Sequence, residues 1–98
     1  QTCALPISIP VPVGYIETTV QTVQDSRSIV LEYRSKQGTS PVRFTVTDLM
    51  GESIMLTPWL TAQTTSQQIT VPGSLPAGIY FITVQTVYSS EKIKCIVQ

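Results

Sequence analysis

The chain has 98 residues, with six basic and six acidic side chains, no histidine, two cysteines and one tryptophan. That length allows one domain with a thin core, and zero net charge leaves no long-range field to draw nucleic acid or an anionic membrane. Without histidine there is no imidazole base, no imidazole metal ligand and no triad of the serine-protease kind.

The fold class follows from composition. There are 14 Thr, 11 Val and 10 Ile against six Leu and three Ala. Side chains branched at Cβ are stiff and pack well on a pleated surface, whereas Ala and Leu favour helices. The expected fold is all-β: an immunoglobulin-like antiparallel β-sandwich of about seven strands.

The start of the chain stands apart. It begins at Gln1 rather than Met, as a fragment or a processed product would. No Lys or Arg precedes Arg27, so the start is not expected to be a secretory leader, which carries a basic segment. Gln1–Ile7 also equals the translation of a sequencing-adapter string, CAG ACG TGT GCT CTT CCG ATC. Residues 1–12 are therefore expected to be an N-terminal extension or an adapter-derived artefact, and 13–98 a single β-sandwich domain. A Pro-rich lead-in carrying Pro6, Pro10 and Pro12 would read similarly.

In chain order, 14–23 is the first extended run, and Asp25, Ser26 and Arg27 form a turn. The next strand, 28–35, sets Ile29, Leu31 and Tyr33 against Val30, Glu32 and Arg34. After the turn 36–41, Val42, Phe44 and Val46 alternate with Arg43, Thr45 and Thr47, the pattern of a half-buried strand. Asp48 to Gly51 reads as a hairpin, because Asp accepts backbone N–H bonds and Gly tolerates positive φ. The returning run 52–56 is expected to point Ile54 and Leu56 inward. Pro58 then makes 57–66 a loop or sheet edge. Gln67–Val71 is a short strand with Ile69 and Val71 on one face. Pro72 to Gly78 is a dense turn, followed by 79–87, which is apolar on both faces and so central. Lys92–Val97 closes the domain, with Cys95 expected to fill the core beside Ile93 and Val97 rather than serve as bridge or nucleophile.

The stretch 53–90 has no charged side chain, but Thr, Gln, Ser and Pro interrupt it, so no membrane span is expected.

Three segments resemble the C-terminal sorting domain of the type IX (Por) secretion system of Bacteroidetes, type A. The first is VRFTVTDLMGESIM, Val42 to Met55. The second is LPAGIY, Leu75 to Tyr80, similar to the family's pattern of Leu, two residues, Gly, a hydrophobic residue and Tyr. The third is the Lys-bearing final strand KIKCIVQ, Lys92 to Gln98. The chain has no asparagine, so the Asn-Pro segment that opens family members is absent. The resemblance implies a secretion signal that directs an N-terminally fused cargo across the outer membrane. It also implies transit through the periplasm and a destination outside the cell or on its surface, with the outer-membrane secretion machinery as partner. Recognition would rest on Gly78, Tyr80, Lys92, Lys94, Ile96 and Val97, with the final strand offering an edge for strand addition.

Two other classes compete. A binding module of a surface protein, touching carbohydrate or protein, would use exposed aromatics, with Trp59, Tyr15 and Tyr88 as candidates. Trp59 beside Pro58 is otherwise expected to plug the core. An enzyme would need carboxylates paired in a cleft, and Glu17, Asp25, Glu32, Asp48, Glu52 and Glu91 read as turn or polar-face residues. No catalytic residue, cofactor, metal or nucleic-acid partner is expected.

Overall fold

Alternating apolar and polar residues carry the chain through ten strands among the residues that the computed structural model describes, which are 2–3, 8–23, 26–71 and 74–97. They are β1 (Thr2–Cys3), β2 (Ser8–Val13), β3 (Ile16–Val23), β4 (Ser28–Ser35), β5 (Ser40–Asp48), β6 (Ser53–Leu56), β7 (Leu60–Ala62), β8 (Gln67–Thr70), β9 (Gly78–Gln85) and β10 (Ser90–Val97). Asp25 of the expected turn, Pro72 and Gly73 of the dense turn, Gln98 and most of the adapter-like heptapeptide lie outside the described residues.

The strands form two sheets. The larger has the order β1-β10-β9-β5-β6, with β7 pairing β5 farther along, and the smaller has the order β2-β3-β4-β8. Every pairing is antiparallel except β1 with β10, where Thr2 and Cys3 lie parallel to Lys94 and Cys95. The seven expected strands are all present; β1, β2 and β7 are additional. Residues 8–12, grouped by the sequence with the N-terminal extension, run with Val13 as an edge strand along β3. Pro10 and Pro12 fit there because a margin strand can do without some N–H donors. Gly14, at φ 59°, makes the two-residue turn between β2 and β3.

The sheets face each other across a core that includes Ile16, Val20, Leu31, Phe44, Val46, Ile82 and Val84, all fully buried. Tyr33 of the smaller sheet meets Phe44 of the larger, ring centroids 5.0 Å apart and tilted by 57°, a favourable aromatic arrangement. Cys95 belongs to this core.

Two expectations fail for identifiable reasons. Leu56 points outward, 61% exposed, while Met55 packs against the core. Val46 pairs with Met55 but Thr47 with Ser53, so Ile54 is an extra residue on β6. Such a bulge shifts the inward–outward alternation by one position. Trp59 is not a core plug: it is 45% exposed, with the Arg43 guanidinium 4.8 Å above its ring centroid.

Candidate docking surface on the larger sheet

The larger sheet turns one face to the core and leaves the other uncovered by the smaller sheet. In β9, Tyr80, Ile82 and Val84 are buried, while Ile79, Phe81, Thr83 and Gln85 alternate with them and remain half-buried. Antiparallel register then fixes what stands beside each outward residue. Gln85 lies between Arg43 and Ser90, Thr83 between Thr45 and Lys92, Phe81 between Thr47 and Lys94, and Ile79 beside Ile96.

Side-chain contacts tie these rungs together. The Arg43 Nη2 and Nε atoms donate to Gln85 Oε1 at 2.8 and 3.3 Å, and its guanidinium covers Trp59. Thr57 places Trp59: its N–H donates to the Phe44 carbonyl and its Oγ1 accepts from the Phe44 N–H, both at 3.0 Å. The side chain thus replaces a ladder bond just before Pro58. Lys92 Nζ sits 5.0 Å from the Phe81 ring centroid, a diagonal cation–π contact.

These rungs contain three cations and no carboxylate. The outward side of the smaller sheet carries Glu17 and Glu32 instead, with Glu17 held 2.6 Å from Arg34 Nη2. Asp48 and Glu52 belong to the β5–β6 hairpin, and Glu91 pairs with inward-facing Val84. A chain of zero net charge is therefore electrically two-sided.

The six residues singled out by sequence divide between the two sides of the sheet. Lys92 and Lys94 are exposed and Ile96 is half-buried on the outward side. Tyr80 and Val97 are buried, at 4% and 1% exposure. Tyr80 donates its hydroxyl to the Pro76 carbonyl at 2.6 Å, bracing the turn before β9 in the manner of a tyrosine corner. Burial, and secondarily the Asp48 charge, raises its pKa above the ordinary phenol value; burial does the same to Tyr33. Gly78 opens β9 at φ 157°, where a side chain is poorly tolerated, and pairs with Val97. Sequence reasoning missed Arg43, Phe81 and Gln85, and favoured a core position for Trp59 over the exposed one its binding-module alternative required. Alternation marked Arg43 as outward, but its neighbours depend on cross-strand register.

The three candidate aromatics do not share one platform. Tyr15 and Tyr88, 61% and 97% exposed, line an apolar cleft of about 190 Å³ with Gly14, Pro41 and Val87, and Trp59 is not among its lining residues. No helix among the described residues is long and apolar enough to cross a membrane.

The fold is that of a small antiparallel β-sandwich module with one sheet face left uncovered. A family model, the secretion system C-terminal sorting domain, matches residues 22–98, and the chain belongs to that family. It is a C-terminal sorting signal for type IX secretion: such domains follow a cargo, interact with the secretion machinery and lead toward the cell surface or extracellular space. The family is not one of enzymes. No curated protein matches the sequence.

Proposed function

We propose that residues 13–98 act as a non-catalytic address read at β10 while the cargo crosses from the periplasm through the outer membrane, with residues 1–12 as an extension clipped to the margins by β1 and β2. Family membership supports the route, and β10 supports the place. It is an eight-residue strand without proline, and among the described residues β1 pairs with it at Lys94 and Cys95. Other margins are interrupted or short: β2 carries Pro10 and Pro12, Pro58 separates β6 from β7, and β8 has four residues. Proline blunts an edge against strand addition, so β10 is the better template for a receptor strand. In this reading Lys92, Lys94 and Ile96 meet the receptor, while Gly78, Tyr80 and Val97 hold the strand in shape.

The test places the full chain behind a periplasmic reporter in a bacterium with a type IX system and in a strain lacking its translocon. Export in the first and periplasmic retention in the second are expected. Equal export from both strains would overturn the assignment.

A further inference from the structure

From the arrangement of charge on the larger sheet, we infer that its outward face docks an acidic surface of a protein in the secretion machinery, with Arg43, Lys92 and Lys94 as the contacting cations and Trp59 and Phe81 as apolar anchors. This rests on the sorting function and specifies the chemistry of the partner.

Three observations carry it. First, the cations converge: Arg43 lies two strands from Lys92 and Lys94, and register places all three on the same side. Second, their partners within the face are neutral. Arg43 engages Gln85 and Trp59, and Lys92 overlies Phe81, so an incoming carboxylate finds the cations oriented without displacing an acid. Third, apolar groups share the face with them: Phe81, beside Lys94 and beneath Lys92, and Ile79 are half-buried, and Trp59, beneath Arg43, and Leu56 are exposed. Aromatics with Arg around an apolar centre are the composition of a protein interface. An anionic membrane is less well matched, since membrane-binding segments cluster about four to eight cations, and this chain has no net charge to attract a lipid surface. An acidic protein needs complementarity only over the face it covers, where opposed charges set encounter rate and register.

The experiment uses the full chain on the exported reporter. The triple reversal Arg43→Glu, Lys92→Glu, Lys94→Glu is compared with the charge-preserving Arg43→Lys, Lys92→Arg, Lys94→Arg, and with Arg34→Glu on the other sheet. Thermal melts of the purified chains establish that each folds, and single reversals replace any triple that does not. Export should fall about tenfold or more in the reversal variants, remain above that level in the charge-preserving variant, and persist in the Arg34 variant. Undiminished export by a folded reversal variant overturns the inference while leaving the sorting assignment intact; loss of export in the unmodified chain counts against the assignment itself. Phosphatidylglycerol vesicles are the second probe. Co-sedimentation of the unmodified chain at about 150 mM salt, abolished by the reversal, would make the face a lipid contact and overturn the protein-docking inference.

Discussion

Thr18 and Thr22 bury their hydroxyls without a hydrogen-bond partner among the described residues. Each hydroxyl has left water for nothing, a cost of about 1–3 kcal/mol. Thr18→Val and Thr22→Val, which keep the shape, should each raise unfolding stability by about 1 kcal/mol in urea titrations; unchanged or lower stability would show that the hydroxyls are satisfied. Tyr80 is the opposite case. Tyr80→Phe deletes the bond to Pro76 and should cost about 1 kcal/mol. It should also change the alkaline behaviour. An unfolded phenol titrates near pH 10, and the folded Tyr80 titrates above it. The stability linked to that shift is fully present below the unfolded value and lost as pH rises through the folded one. Denaturation midpoints should therefore fall above about pH 10, less steeply in Tyr80→Phe than in the parent.

At the scale of single elements, the β5–β6 hairpin hangs on one carboxylate. Asp48 Oδ1 accepts from the N–H groups of Met50 and Glu52 at 2.9 and 2.8 Å, while Gly51, at φ 85°, donates to the Asp48 carbonyl. Asp48→Ala removes both charge-assisted bonds and should lower stability by about 1–2 kcal/mol, with chemical-shift changes centred on 48–55. The turn was readable in the sequence because its chemistry is local. So was β4, whose alternation of Ile29, Leu31 and Tyr33 in the sequence is the alternation observed. Non-local causes were not readable. The bulge that turns Leu56 outward is defined only against β5, and Trp59 leaves the core for a guanidinium sixteen residues earlier in the chain. β2 escaped notice because Pro10 and Pro12 suggest a lead-in until β3 is seen beside them. The recognition set had the same limit: a motif gives residues in order, but not which of them a sheet buries.

Across the whole molecule, the balance of six cations and six carboxylates conceals their separation. The larger sheet's outward side is cationic and aromatic, and the smaller sheet's carries the Glu17–Arg34 pair and Glu32. The sequence contains no histidine, so no imidazole in this arrangement changes charge between about pH 5 and 8. Capture by an acidic partner should accordingly weaken with added salt but hardly change across that range, which binding measurements at several ionic strengths would establish.

The placement of lysines has a practical corollary. The sequence contains three, of which Lys92 and Lys94 lie on β10 and Lys36 lies in the β4–β5 turn. An acylating reagent applied during secretion would therefore footprint the terminal strand directly, with Lys36 as a built-in reference for reagent access. Occlusion of the pair while Lys36 still reacts would capture the moment of engagement from the modification pattern of one small protein.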